Sequence, residues 1–319
     1  MFKSLTRFLL VLSMVGAGMV HAAGYPEKPI RIIAPYAPGG GVDMVARLLA
    51  VKLQEKFNQP VIVENRVGAS GMIAAQLLSR ADPNGYTLLL DAVSITMNPS
   101  IHKKLPYDPA AIQPVAKLIT LPMVLAVNPT IPPKNLNELI DYLKANSASV
   151  NFALAGTSTR LAAELFKLTS STNFTMVPYQ GSAPSILSLL SGSTQFTISD
   201  LPSISQHIAS GKIRAIASSA GNRTSLLPNV PTAKEMGLTD FVVTSWYGVF
   251  APAGTPPEIL RQLNTEINRI IVLPDVVERF KALGAEPDAM SVDEFSGLYK
   301  NEITRWRDVV KRSGMVINE

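Results

Sequence analysis

Short apolar runs of strand length alternate almost throughout the chain with longer stretches whose apolar residues return every three or four positions. The first pattern predicts buried strands and the second amphipathic helices. In the first third, strands are predicted over 30–34, 61–64 and 87–90, with helices over 42–57 and 71–80. Asp82-Pro83-Asn84-Gly85 predicts a turn, because proline fixes φ and Asn-Gly accepts positive φ. The middle third repeats this order: helix 136–146, strand 151–153, helix 160–168, strand 175–177, helix 184–191, strand 195–199, helix 202–210 and strand 213–218.

Alternation of this kind predicts an α/β fold, with mostly parallel sheets flanked by helices. Residues 99–114 are proline-rich and read as irregular, and 115–127, interrupted by Pro122, reads as a strand passing between two lobes. The apolar run 241–250 carries the chain back, and helices over 258–271, 274–283 and 292–313 complete the first lobe. The expected organisation is lobe 1 from 23–121 plus 244–319 and lobe 2 from 122–243. Two crossings form a hinge, the geometry of proteins that close around a small ligand.

Four glycine- and hydroxyl-rich loops stand between a predicted strand and a helix: Pro35-Tyr36-Ala37-Pro38-Gly39-Gly40-Gly41, Glu64-Asn65-Arg66-Val67-Gly68-Ala69-Ser70-Gly71, Ala155-Gly156-Thr157-Ser158-Thr159 and Tyr179-Gln180-Gly181-Ser182-Ala183-Pro184. At such a junction the first helical N–H groups lack intrahelical acceptors and, with the positive end of the dipole, form a cradle for an anion. The glycines of the first loop do not make a nucleotide motif. Met44 stands where the dinucleotide fingerprint needs its third glycine, and no Gly-Lys-Ser/Thr follows.

Ser70, Thr157, Ser158, Thr159 and Ser182 are each explained by helix capping taken singly; as a set facing one cleft they are candidate donors to a carboxylate. Asp43 reads as a partner of its own helix dipole or an orienter of the loop. Asp200 reads either as an acceptor for a ligand hydroxyl or amine or as the cap of the helix near Pro202. Arg160, a cation where the dipole disfavours one, reads either as a clamp for a second ligand carboxylate or as an exposed side chain.

The N-terminus changes the setting. Lys3 and Arg7 precede the apolar run 8–20, with Ala22, Ala23 and Gly24 after it, the pattern of a signal peptide over 1–22 cleaved after Ala22. That run is shorter than the roughly 20 apolar residues of a membrane span. The expected location is therefore the periplasm. The chain has no cysteine, which excludes disulfides and thiolate chemistry. Its 29 Lys+Arg against 24 Asp+Glu give a formal +5, which falls to +3 without Lys3 and Arg7. The remaining basic residues are interspersed with acidic ones, so no nucleic-acid partner is expected.

Catalytic sets are equally sparse. Beyond the signal peptide only His102 and His207 remain, and neither Gly-x-Ser-x-Gly nor His-Glu-x-x-His occurs. Ser100-Ile101-His102-Lys103 fits Ser-x-x-Lys without its Lys-Thr-Gly companion. No enzymatic activity, metal or cofactor is expected.

Several segments, in order, resemble the Bug family of extracytoplasmic solute receptors, the binding components of tripartite tricarboxylate transporters. They include Tyr36-Ala37-Pro38-Gly39-Gly40 with Asp43, Glu64-Asn65-Arg66 with Gly68-Ala69 and Gly71, and Leu105-Pro106-Tyr107-Asp108-Pro109. Val177-Pro178-Tyr179-Gln180-Gly181-Ser182-Ala183-Pro184, Gly211-Lys212-Ile213-Arg214-Ala215 and Trp246-Tyr247-Gly248 continue the likeness. The resemblance implies a two-lobed periplasmic-binding-protein fold of type II-like architecture, a small organic carboxylate as ligand and membrane permease subunits as partners. A monomer is expected. By motif, the first lobe would bind through Tyr36, Gly39, Gly40, Asp43, Ala69 and Ser70, and the second through Thr157, Ser158, Thr159, Tyr179, Ser182 and Ala183. The chain departs from the family where members often carry histidine at Arg160, lysine or arginine at Gln180, and aspartate at Ser199 rather than Asp200. A sensory role, feeding a membrane signalling kinase, uses the same closed form and stands as the alternative to transport.

Overall fold

A computed structural model describes residues 24–179 and 181–315. The signal peptide and Gln180 lie outside the described residues. The chain begins β1 (Ile30–Ala34), α1 (Gly41–Phe57), β2 (Val61–Asn65), α2 (Met72–Ser79), β3 (Thr87–Ala92) and α3 (Ser94–Ile101). A long β4 (Ile112–Val127) leads to α4 (Leu136–Ala145), β5 (Asn151–Leu154), α5 (Thr157–Ser170), β6 (Thr175–Pro178) and α6 (Ser182–Leu190). Then come β7 (Phe196–Asp200), α7 (Leu201–Ala209), β8 (Arg214–Ser218) and β9 (Thr244–Pro252). α8 (Pro257–Ile271), α9 (Pro274–Ala282), β10 (Glu286–Pro287) and α10 (Val292–Ser313) close the sequence.

One mixed sheet runs through the molecule in the order β2-β1-β3-β9-β4-β7-β5-β6, with β8 and β10 also paired to β4. Its outer thirds are parallel: β1 pairs β2 and β3, and β5 pairs β6 and β7. The centre is antiparallel, which the repeating strand-helix order did not predict. There β9 runs against β3 and β4, and β4 against β7 and β8. The partner of β4 changes within two residues. Ile112 to Pro122 lie along β9, and Met123 to Val127 lie along β7.

Side-chain alternation explains how one strand serves several cores. Beyond Pro122, Met123, Leu125 and Val127 join the largest apolar cluster, whereas Val124 and Ala126 face the cluster under α6 and α7. Helix α8 buries Leu260, Leu263, Ile267, Ile270 and Ile271, the spacing of a single apolar stripe. Helix α10 places Trp306, Val309 and Val310 in the largest cluster, alongside Phe152 of β5, Phe166 of α5 and Phe250 of β9. Where α10 meets β9, a Cβ on Gly248 would run into the Phe295 ring, so that position needs glycine.

Two elements differ from the sequence reading. Residues 99–101, read as irregular, form the end of α3, which has Pro99 inside it. Proline there removes one intrahelical donor, and the helix persists because Ile95, Thr96, Met97 and Asn98 are all buried. β3 also runs to Ala92 rather than stopping at 90, which carries Asp91 and Ala92 to the end of the sheet.

Candidate ligand-binding site

The ends of β1, β3, β7 and β9 and the starts of α1, α3 and α5 surround a cavity of ≈370 Å³. Tyr36, Gly40, Gly41, Ser70 and Ser94 contribute from one side, Thr157, Ser158 and Asp200 from the other, and Ser245 and Tyr247 from β9. Among the described residues, no lysine, arginine or histidine lines the cavity. The donors are hydroxyls and the first-turn N–H groups of α1 and α5, long helices whose starts carry unsatisfied N–H groups.

The loop before α1 is fixed from several directions. Asp43, 2% exposed, accepts from the Gly39 N–H at 2.9 Å, from Asn65 Nδ2 at 2.8 Å and from Arg47 Nε at 3.0 Å. Asn65 also donates to the Tyr36 carbonyl at 3.0 Å, tying β2 to the loop. Burial alone would raise the Asp43 carboxyl, but donors from Arg47, Gly39 and Asn65 outweigh it and hold the group at about 2. Asp43 is therefore an ionised staple with its charge met by Arg47. Gly39, at φ +84, supplies the left-handed turn, and a Cβ on Gly41 would lie 2.7 Å from the Tyr247 hydroxyl.

The loop before α2 is strained. Ala69 and Ser70 have φ of 47 and 52, left-handed values that non-glycine residues seldom adopt, and Gly71 follows at 90. Two bonds hold that shape: Asn98 Nδ2 donates to the Ser70 carbonyl at 3.0 Å, and the Gly71 N–H donates to the Gly68 carbonyl at 3.1 Å. Ser70 is presented to the cavity as a result. Beneath it lies Asp91, whose Oδ1 accepts from the Ala92 N–H at 2.6 Å while Oδ2 is buried without a partner among the described residues. Burial pushes its carboxyl up to about 7 against the opposing effects of the Ala92 N–H and Tyr36. The Tyr36 hydroxyl bonds Ser94 Oγ at 2.7 Å; burial, then the charge of Asp91, keeps it protonated.

The opposite side is built more simply. Thr159 Oγ1 accepts from the N–H groups of Ala155 at 3.1 Å and Gly156 at 2.9 Å, and donates to the Gly156 carbonyl. It closes the turn on itself and leaves Thr157 and Ser158 at the cavity. Asp200 occupies the N-cap position of α7 but makes no capping bond, and its Oδ1 is buried and unpartnered among the described residues. Burial pushes its carboxyl up to about 6.

Of the residues singled out from sequence, Tyr36, Gly40, Ser70, Thr157, Ser158 and Asp200 are brought to the cavity. Gly39, Asp43 and Thr159 shape its walls from behind. Ala69 sits in the strained turn next to Ser70, and Arg160 follows Thr159 on α5; neither is a lining residue. The Tyr179 hydroxyl is bonded to Ser188 Oγ at 2.5 Å. Ser182 and Ala183 line a separate depression with Ile186, Leu187, Ser203 and His207.

Sequence reasoning missed Ser94, Ser245 and Tyr247. The signal for the last two was the alternation across Ser245-Trp246-Tyr247, which puts Trp246 in the core and its neighbours on the other face. Ser94 was hidden by Pro99, which masked a strand-to-helix junction of the same type as the others.

Among the described residues, no group of three or more His, Cys, Asp or Glu is placed to hold a metal ion. No helix among them is long and apolar enough to cross a membrane.

Comparison with known proteins gives consistent matches. The family model "Tripartite tricarboxylate transporter family receptor" matches residues 45–315. Protein BugT of Bordetella pertussis is 39% identical, covering 98% of each chain. An R. palustris protein solved with adipate is 32% identical over 92% of this chain and 99% of that one, with a TM-score of 0.77. MatC from Rhodopseudomonas palustris, solved with bound malate, is 32% identical over 90% of this chain and 100% of that one, with a TM-score of 0.73.

Proposed function

The chain belongs to the tripartite tricarboxylate transporter family of receptors, and from that premise we propose that it captures a small organic carboxylate in the cavity between α1 and α5 and delivers it to membrane permease subunits. The protein would act in the periplasm as a monomer, after cleavage of residues 1–22. Residues 23–121 with 244–319 form one lobe and 122–243 the other, and the lobes close over the ligand by bending where β4 and β9 cross between them.

The observation that carries this reading is the convergence of two helix starts and several hydroxyls on one cavity that no basic side chain lines among the described residues. Backbone N–H groups fixed by the Asp43 staple hold a carboxylate without waiting for a long side chain to be ordered. A micromolar ligand needs about −8 kcal/mol, and charge-assisted hydrogen bonds contribute about 1.5–3 kcal/mol each, so three to five placed donors suffice. The adipate and malate seen in related structures are of the size and charge that this reading expects. Closure would remove water from these donors and strengthen each bond.

The test is thermal denaturation of ligand-stripped protein against a panel of mono-, di- and tricarboxylates. At least one acid is expected to raise the melting temperature with the concentration dependence of ligand linkage, and Gly39→Val, which forces a β-branched residue into φ +84, is expected to abolish the rise. A panel without any shift would refute carboxylate capture.

A further inference from the structure

We propose that the cavity selects carboxylates that also carry a hydroxyl or an ammonium, and that Asp200 is the residue that reads this second group. The inference rests on the carboxylate reading above and narrows it to hydroxy acids and amino acids.

Three observations support it. First, Asp200 stands where a helix cap belongs but does no capping. An N-cap side chain bonds the N–H of the second or third helical residue; the second residue of α7 is Pro202, which has none, and the N–H of the third, Ser203, makes no bond to Asp200. Second, Asp200 lines the cavity, and its carboxylate has no hydrogen-bond partner among the described residues. An ionised carboxylate only accepts hydrogen bonds, so the group that completes it must be a donor. A buried acceptor left unmet is costly, which turns the vacancy into discrimination against ligands that lack the donor.

The third observation concerns charge. Among the described residues, Asp200 is the only ionisable acid or base lining the cavity apart from the two tyrosines, Tyr36 and Tyr247, which burial keeps protonated. A plain dicarboxylate would bring its second negative charge to a wall with no cation, beside Asp200. A hydroxyl or an ammonium at that point removes the conflict, and an ammonium reverses its sign. The elevated carboxyl of Asp200 has the same origin, since burial without a donor disfavours its charge.

Calorimetry on ligand-stripped protein at pH 7.5, with acids matched in length, tests this directly. One series is propionate, lactate and alanine; the other is succinate, malate and aspartate. In at least one series the hydroxy or amino member is expected to bind about ten- to a hundredfold more tightly than the unsubstituted acid. D200N should shrink that ratio and D200A should bring it to about one, with each variant's unliganded melting curve recorded to establish that it folds. Unsubstituted acids that bind as tightly as their substituted partners in both series in the wild type overturn the proposal without reference to any variant. A ratio that survives in folded D200A also overturns it. If neither series nor any other carboxylate binds, the carboxylate reading itself fails; if acids bind without regard to the donor, only the role of Asp200 falls.

Discussion

The two loops that face each other across the cavity are built by opposite means. The loop before α1 is held by near and distant residues together: Asp43 gathers Gly39 and Arg47, four positions away on either side, with Asn65 from β2, and Tyr36 is tied to both Asn65 and Ser94. The turn before α5 is held by Thr159 alone, through bonds to residues three and four positions away. Beside that turn, Asp200 has an oxygen with no partner among the described residues. The loop before α1 is thus preorganised for a group of fixed geometry, and Asp200 on the other side brings an unmet acceptor to the cavity lining. Rigid, satisfied donors suit the carboxylate that all ligands of such a site would share, while an unsatisfied group discriminates among them.

The contrast can be broken most forcefully at Asp43. Asp43→Ala leaves the Gly39 N–H, Asn65 and Arg47 without their acceptor and is expected to destabilise the protein by about 2–4 kcal/mol in denaturant unfolding. The difference from wild type should also depend on pH. The folded carboxyl lies at about 2, below the ordinary 3.8, so its contribution is complete above pH 4 and disappears as pH falls through 2. A difference that stays constant down to pH 2 would contradict the staple.

A paired glycine experiment sharpens the comparison. Gly41→Ala pushes a methyl to 2.7 Å from the Tyr247 hydroxyl and should cost about 1–3 kcal/mol, whereas Gly156→Ala enters open space at an extended φ and should stay within about 0.5 kcal/mol of wild type. Equal effects would mean that the two helix starts are equally constrained. The smallest loss expected from a side-chain deletion is at Thr159→Ala, about 1 kcal/mol by thermal or chemical unfolding, because only one local cap is removed. A loss as large as that at Asp43 would erase the distinction between the walls.

Much of this was legible in the chain itself. The alternation of strand and helix periods located nearly every element, since a buried face imposes its period on the residues that cover it. Gly39, Gly156 and their neighbours marked strand-to-helix junctions because those turns require particular backbone chemistry. Ser245 and Tyr247 escaped notice for a different reason: β3 and β9 become neighbours only by antiparallel pairing across more than 150 residues of sequence.

The sequence by itself determined the local matters: the order of elements, the positions of the glycine turns, the lack of cysteine and the family likeness. Tertiary structure alone decided which turns share a cavity and which polar residues are spent. Asp43 and Asp200 are both aspartates at the start of a helix, yet one is saturated with donors and the other has an unpartnered oxygen. That difference depends on Asn65, which β2 brings back to the loop, and on Pro202, which removes one of the two N–H groups that Asp200 could cap. Whether a polar group is satisfied is a property of three-dimensional surroundings, and period and composition do not encode it.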